Sequence, residues 1–391
     1  MRPETLTRRV GAGLSVSPDA VEAAGEAARE ARASLGGAPV DLAYLFLSAD
    51  HFARCEEAVA EVERLLMPGS LLGCVAEGVL GGDRELESGP GASVWAASFP
   101  DARIETFHSV AIGTDEGVAV TGFPELAGAD LVTFLVDPFT FPSAGFLSKL
   151  NEEEDSVPLV GGLAAGGGEP DSQALFRDGE ILYEGAVGAV LRGVPVRTVV
   201  SQGCEPVGRD SVVTNAEGNV VFELAGEPAL ERLKGDLATL TADQQASAAS
   251  GGVLAGLVID ENRSDYDRGN YLVRGLMGVD EDTGALAIGE PVRVGQTLRF
   301  HVRDADSADR DLRQSLADAV AGEQAAGALL FTCNGRGVGM FSAPDHDVHA
   351  IGDVLGDGAL SGFFCAGEIG PVGGRPFLHG FTATLAVFLE S

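Results

Sequence analysis

The chain of 391 residues carries a formal net charge of −33, and 45% of its residues are hydrophobic. This composition predicts two or three domains with cores of ordinary size, and the acidic balance argues against nucleic acid or an anionic membrane surface as a partner, because both bind basic patches. We expect a cytoplasmic protein without membrane insertion, because no apolar run reaches the ~18 residues of a membrane helix and no secretory signal is visible.

The N-terminal stretch, residues 1–37, predicts a short strand followed by an alanine-rich helix. Ser17 followed by Pro18 is a typical helix start, and Gly36-Gly37 is a typical stop, so we expect Ser17 to be the N-cap. We interpret this stretch as an extension that precedes the first domain and carries no chemistry of its own.

A glycine motif, Gly-x-x-[Ala/Cys]-x-Gly, occurs three times, at residues 73–78, 161–166 and 362–367. Each copy follows an apolar strand and a helical segment and precedes a polar or glycine-rich loop and another apolar strand. The shared order predicts three degenerate copies of one β-α-β-loop-β unit. Chance is the alternative, since a chain with 54 glycines offers many loose matches. The flanking segments are 40–47, 50–66 and 93–99; 131–136, 142–150 and 186–191; and 328–333, 347–355 and 381–389.

The pattern changes between about residues 195 and 318. Short alternating segments separated by turn signals predict antiparallel β-structure there, with one or two helices near 228–240 and 308–321. We therefore predict one domain at 38–194 and a second at 195–391, the last part of which is the third repeat. The predicted fold class is α/β (α+β), with two packed domains whose mixed sheets are built from degenerate β-α-β-loop-β repeats.

The five cysteines are odd in number and lack a short Cys-x-x-Cys spacing. This argues against a disulfide framework and against a structural zinc site, and no metal is expected. Because three of them stand near predicted strand ends inside apolar runs, we expect reduced and mostly buried thiols. The cysteines are Cys55, Cys74, Cys204, Cys333 and Cys365.

The candidate site lies where the strands of the third repeat end. Arg336, which follows the strand 328–333, could hold a carboxylate with two nitrogens, and Glu368 could hold an ammonium group, which together suit an amino acid. The alternative is that Arg336 and Glu368 pair with each other. The candidate ligand-binding residues are Glu77, Cys333, Asn334, Gly335, Arg336, Gly337, Cys365, Gly367, Glu368, Arg375 and His379.

Several of these segments resemble the FIST family. The segments YLVRGLMGVD (271–280), CNGRG (333–337) and GFFCAGEIGPVGG followed by FLHGFTATL are similar to the C-terminal half of FIST proteins. LLGCVAEGVLGG and VPLVGGLAAGGG are similar to the N-terminal half, so that the resemblance covers about residues 38–390. It implies a sensory module that binds a small ligand, with amino acids suggested. Since no output domain fits in this chain, it also implies a stand-alone prokaryotic member that signals through a separate partner protein.

Other functions stay open at this stage. The resemblance also allows a haem-based sensor of nitric oxide, for which His379 is the best axial ligand; otherwise no cofactor is expected. An enzyme with Cys365 as nucleophile, His379 as base and Glu368 as orienting group is less favoured, and catalysis is uncertain. In a third alternative, the acidic surface makes the protein an adaptor. The sequence does not set the ligand, the partner or the oligomeric state.

Overall fold

The computed structural model describes residues 8–115, 117–152, 157–166, 172–249, 252–263, 265–266, 268–356 and 358–390. Residues 1–7 of the predicted N-terminal extension lie outside this part. Contacts divide the chain into two compact units, the first formed by Met1–Val200 with Leu312–Ser391 and the second by Ser201–Asp311. The sequence-based boundary near residue 194 stays a prediction. None of the helices in the described part of the chain is long and apolar enough to cross a membrane.

The first repeat is preceded by one strand and one helix. The α1 helix is capped by Asp19, whose Oδ1 accepts hydrogen bonds from the backbone N–H groups of Val21 and Glu22 at 3.0 Å each. The prediction of Ser17 as the N-cap was therefore wrong by two residues. The elements are β1 Arg9–Ser15, α1 Ala20–Ser34, β2 Leu42–Ser48, α2 Cys55–Leu66, β3 Ser70–Ala76, β4 Val79–Gly81, β5 Arg84–Leu86 and β6 Ala92–Ser98.

The second repeat is preceded by two strands. Its elements are β7 Arg103–Thr114, β8 Gly117–Thr121, β9 Leu131–Val136, α3 Ser143–Leu150, β10 Leu159–Leu163, β11 Leu175–Arg177, β12 Glu180–Leu182 and β13 Ala186–Arg192.

The segment between the second and third repeats contains the second compact unit. Its strands pair antiparallel in the order β15-β21-β18-β19-β20-β16-β17, and an additional β15–β16 pairing closes the sheet on itself. The predicted antiparallel β-structure with helices is thus confirmed. The elements are β14 Val196–Gln202, β15 Cys204–Glu217, β16 Val220–Leu224, β17 Glu227–Pro228, α4 Ala229–Leu237, α5 Ala242–Ala249, β18 Val253–Val258, β19 Tyr271–Asp280, β20 Ala285–Ile288, β21 Thr297–Arg303 and α6 Ala305–Val320.

The third repeat completes the first compact unit. Its elements are β22 Ala325–Cys333, α7 Gly337–Phe341, α8 His346–Leu355, β23 Ala359–Cys365, β24 Glu368–Val372, β25 Arg375–His379 and β26 Thr382–Leu389.

The three repeats share one pattern of strand pairing. In each, the first two strands are parallel (β2 with β3, β9 with β10, β22 with β23), and the last strand lies antiparallel beside the first. The first residue of each motif has to be glycine, because a Cβ there would overlap a backbone carbonyl oxygen of the neighbouring strand. The pairs are Gly73 with Leu45, Gly161 with Phe134 and Gly362 with Leu330.

Each repeat places its hairpin on the sheet of another repeat. The β4–β5 hairpin of the first pairs with β23 of the third, β11–β12 of the second pairs with β3 of the first, and β24–β25 of the third pairs with β10 of the second. Residues of all three repeats, such as Phe46, Leu135 and Phe331, line one central core. The predicted α/β (α+β) class with mixed sheets built from repeats is confirmed, and the predicted "loop" of each repeat contains this exchanged hairpin.

Candidate functional site

The candidate site lies at the carboxyl end of β22. This strand ends at Cys333, its parallel neighbour β23 ends at Cys365, and β24 begins at Glu368. Carboxyl ends of parallel strands meet at one edge of a sheet, which is a common place for ligands in α/β proteins. Because the hairpin of the first repeat pairs with β23, its glutamates reach the same edge.

Arg336 is the central cation of the site, and the residue is only 1% exposed. Its Nε donates to Oδ2 of Asp347 at 2.7 Å and its Nη2 donates to Oδ1 at 2.8 Å. The expected alternative, a pair between Arg336 and Glu368, was therefore wrong, because the two-nitrogen fork already holds Asp347. The third nitrogen, Nη1, is buried and has no hydrogen-bond partner among the described residues.

Asp347 fixes the orientation of the guanidinium group. It stands in the first turn of α8 and also accepts a hydrogen bond from Thr332 Oγ1 at 2.9 Å. Burial alone would favour the neutral acid, but the charge and hydrogen bonds of Arg336 outweigh it and hold the pKa of Asp347 well below its usual range. The centre of the Phe341 ring lies 5.1 Å from the guanidinium carbon. Asp347 therefore contacts the edge of the guanidinium group, and Phe341 packs against its face.

Glu368 is the candidate hydrogen-bond acceptor of the site. The residue is fully buried, and its Oε2 accepts from the backbone N–H and the hydroxyl of Thr382 at 3.1 and 2.9 Å. Its Oε1 is buried and accepts no hydrogen bond from a nitrogen or oxygen of the described residues, and the thiol of Cys333, a weak donor, is the group that lies against this carboxyl. Burial raises the pKa of Glu368 to about 8, although the Thr382 hydrogen bonds and the charge of Arg336 act in the other direction.

The two cysteines of the site are not activated thiols. Cys333 lies close to the Glu368 carboxyl, and burial and that carboxyl raise the pKa of Cys333 to about 12. Cys365 is fully buried against Gly162, where a Cβ would overlap its sulfur, and burial also raises the pKa of Cys365. All five cysteines are free and buried, which confirms the expectation of buried, unpaired thiols.

Three glutamates from the hairpin region of the first repeat hold the segment that follows β22. Glu77 accepts from Asn334 Nδ2 at 2.7 Å, Glu87 accepts from the backbone N–H of Val338 at 2.8 Å, and Glu85 accepts from the backbone N–H of Val348 at 3.0 Å. Burial, with the nearby charge of Asp347, raises the pKa of Glu85 to about 8. Glu77 was predicted from sequence, whereas Glu85, Glu87 and Asp347 were not. Their only signal in the sequence was closeness to the glycine motif or to Arg336.

The remaining predicted residues divide into two groups. Gly335 lies in the turn before Arg336, Gly337 is the first residue of α7, and a Cβ on Gly337 would overlap the Glu87 carboxyl. Gly367 lies between β23 and β24, beside Leu163 and Leu378.

Arg375 is exposed at the far end of the β24–β25 hairpin, four ladder positions from Glu368, so the structure does not bring it to the site. His379 lies opposite Glu368 on the ladder, but its Nε2 forms a hydrogen bond with the Gly370 carbonyl oxygen at 2.9 Å. His379 therefore ties the two strands of the hairpin together.

The repeats offer an internal comparison for the site. Strand registers place Ser48 and Asp137 where Cys333 stands in the third repeat. Ser48 Oγ accepts from the Gly91 N–H at 2.9 Å, and Asp137 accepts from Phe139 N–H and Thr140 Oγ1 at 2.9 and 2.6 Å. The polar side chains at those two strand ends thus have hydrogen-bond partners close by in the chain. In the third repeat, the donor Arg336 Nη1 and the acceptor Glu368 Oε1 have no such partner among the described residues.

The fold of glycine-marked repeats and the site at β22 belong to a defined class of protein. The chain matches the FIST N domain over residues 41–227 and the FIST C domain over residues 229–371. The protein therefore belongs to the FIST family, whose domains are sensory domains of signal transduction.

Full-length relatives occur in mycobacteria. The chain is 44% identical over 385 residues to the uncharacterized protein Rv0628c of Mycobacterium tuberculosis, which covers 98% of this chain and 100% of the relative. It is 42% identical over 385 residues to the uncharacterized protein Mb0898c of Mycobacterium bovis, covering 98% and 99%. A shorter similarity, 36% over 80 residues, links it to the uncharacterized protein MJ1623 of Methanocaldococcus jannaschii, covering 20% of this chain and 16% of the relative.

Proposed function

We propose that this FIST protein senses a small polar metabolite that carries both an acidic and a basic group, such as a free amino acid, and that it signals through a separate partner. One observation carries the proposal: Arg336 Nη1 and Glu368 Oε1 are a buried donor and a buried acceptor without partners among the described residues. Buried polar groups are costly unless they are hydrogen-bonded, so such a pair points to a polar occupant.

The roles of the two residues follow from their fixed partners. Because Asp347 accepts from Nε and Nη2 of Arg336, Nη1 is the nitrogen without a partner among the described residues, and it is the one placed to donate to an oxygen of the ligand carboxylate. Because Thr382 occupies Oε2 of Glu368, only Oε1 is left to accept from the ligand ammonium group. Arg336 therefore contacts the ligand through Nη1 and Glu368 contacts it through Oε1. Asp347 and Thr382 hold these two side chains in position before the ligand binds.

The rim of the site is the natural entrance. Asn334 and Glu77 are exposed and hydrogen-bonded to each other, and Val338 of α7 is 50% exposed. Asn334 and Val338, two residues before and after Arg336, are thus exposed residues that flank it in the chain. A ligand enters by parting the Asn334–Glu77 contact.

The alternatives gain less support from the same geometry. Haem would have to use Nδ1 of His379, because Nε2 is engaged with Gly370, and His379 is only 4% exposed. Cys365 would have to ionise inside the core, which its raised pKa opposes. An adaptor role without a ligand is the outcome if the binding experiment below fails.

The test is a thermal-shift and calorimetry series with the free amino acids. A ligand at about 100 times its dissociation constant adds about 2.7 kcal/mol of stability. We expect Glu368→Gln, which keeps the shape but cannot ionise to pair with the ammonium group, to weaken binding at least about tenfold above pH 8, where Glu368 of the parent is ionised, in line with the loss of a charged hydrogen bond. Arg375→Ala, at the exposed end of the hairpin, is the control and should bind as the parent does. Equal affinity in Glu368→Gln, or no binding by any amino acid, contradicts the proposal.

A further inference from the structure

The outer faces of the three sheets are covered unequally. In the first repeat, α1 precedes β2 and α2 follows it, and both pack in one outer core through residues such as Ala27 and Val59. In the third repeat, α6 precedes β22, and Leu312 and Leu316 of α6 pack in one outer core with residues of α8. Two of the three sheets thus carry a helix ahead of the first strand of the repeat.

The second repeat lacks this helix. Within the described range 117–152, β8 is followed by residues 122–130 in irregular conformation and then directly by β9. The outer core of this sheet therefore consists of α3 and the irregular segment, with Phe123, Leu126 and Phe146 only partly buried. The pattern of the other two repeats predicts a helix where the chain supplies none.

An open groove of about 1050 Å³ lies between α3 and the segment that replaces the helix. Its walls combine apolar side chains with polar groups in nearly equal measure, and the rings of Phe123 and Phe146 within it lie 4.9 Å apart. Val118 at its edge is 64% exposed. We name this feature the α3 groove; it is lined by Val118, Val120, Phe123, Leu126, Phe146 and Leu150, together with the charged Glu125 and Lys149.

We propose that the α3 groove docks an amphipathic helix of a partner protein, in the role that α1 and α6 fill in the other two repeats. Since α1 has 15 residues and α6 has 16, the partner helix should be of similar length. Its apolar residues recur at i, i+3, i+4 and i+7, the spacing of a helix laid in a groove. Lys149 and Glu125, one charge of each sign, favour a helix with an acidic residue on one edge and a basic residue on the other.

The sheet beneath the groove also contains part of the ligand site. Its strand order is β25-β24-β10-β9-β13-β7-β8, so that β24, which begins with Glu368, and β8, which borders the groove, belong to the same sheet. This inference stands on the groove alone and does not require that the ligand proposal be correct.

The test is a selection from a displayed library of random 16-residue peptides against the full-length protein. We expect enriched peptides to share the helical apolar spacing and to gain helicity on binding, measured by circular dichroism. Val118→Glu should weaken their binding at least about tenfold, as expected for a charge placed in an apolar contact. Ile112→Glu is the matched control: Ile112 is 48% exposed in the same hairpin, but it pairs with Ala119 and so lies on the other face from Val118 and Val120.

Three results would overturn the proposal. The first is no enrichment, and the second is enrichment of peptides with the alternating pattern of a strand, which would indicate pairing with the edge of β8. The third is a homodimer, detected by light scattering, that Val118→Glu dissociates and Ile112→Glu does not; the α3 groove would then belong to a second copy of the chain.

Discussion

Arg336 and Asp347 form a bidentate ion pair inside the protein, at 2.7 and 2.8 Å, although a turn and the short helix α7 separate them in the chain. Both side chains are almost fully buried, at 0% and 3% exposure. A buried pair of this kind is costly to break, because the remaining charge has no solvent to stabilise it. The pair therefore limits which variants can test the site.

We predict that Arg336→Ala lowers the free energy of unfolding by about 3–5 kcal/mol, the usual range when one partner of a buried pair is removed. The control is Arg197→Ala, since the Arg197–Glu323 pair is about half exposed and should contribute less than about 1 kcal/mol. Urea unfolding measures both. Equal losses in the two variants would contradict the assignment of Arg336 to a buried ion pair.

A second prediction concerns pH. Folding raises the pKa values of Glu368 and Glu85 from their usual 4.5 to about 8, so the folded chain binds protons that the unfolded chain has released. Stability from these groups is thus complete below about pH 4.5 and is lost as the pH rises toward 8, at about 1.4 kcal/mol per unit of pKa difference.

Glu368→Gln removes one of these two groups and should reduce the loss of stability between pH 5 and 8 by about half. Denaturant unfolding at several pH values gives this slope directly, and Glu77→Gln, the same change at an exposed residue, is the matched control. An unaltered slope in Glu368→Gln would mean that Glu368 is ionised throughout this range.

The repeats could be predicted from sequence because the same close approach of two strands requires a glycine at the same position of each copy. Gly73, Gly161 and Gly362 stand where a strand passes too close to its neighbour for any side chain. The exchange of hairpins has no comparable signal in the sequence, because it depends on pairing between residues that are far apart in the chain. For this reason the grouping of Cys333 with Glu368 could be predicted from sequence, whereas the contribution of Glu85 and Glu87 from the first repeat could not.

The partner of Arg336 was missed for a related reason. Asp347 reads as an ordinary acidic residue in the first turn of a helix, where it is favourable in any case. Glu368, standing between two strands, looked like the better partner. Only the packing of α8 against β22 turns Asp347 inward, where Thr332 also donates to it.

The third prediction tests the equivalence of the repeats. Gly362→Ala should destabilise the protein by about 3 kcal/mol or more, at the upper end of overpacking effects, because the new Cβ meets the backbone oxygen of Leu330, which cannot move aside. Gly73→Ala should cost a similar amount for the same reason at Leu45. Gly113→Ala is the control, a strand glycine with open space around it, and should change stability by less than about 1 kcal/mol. A mild effect at Gly362 with a large one at Gly73 would contradict the common steric cause.

The last prediction concerns the thiols. All five cysteines are buried, and burial raises the pKa values of Cys333 and Cys365, so neither forms a thiolate readily near neutral pH. We expect the native protein to react slowly with a thiol reagent such as dithiobis-nitrobenzoate and to release all five thiols only after unfolding. Val338→Cys, at a position that is 50% exposed beside the site, is the positive control and should react at once. A single fast thiol in the native parent protein would instead show a reactive cysteine, and its loss in Cys365→Ser would restore the hypothesis of a cysteine-dependent enzyme.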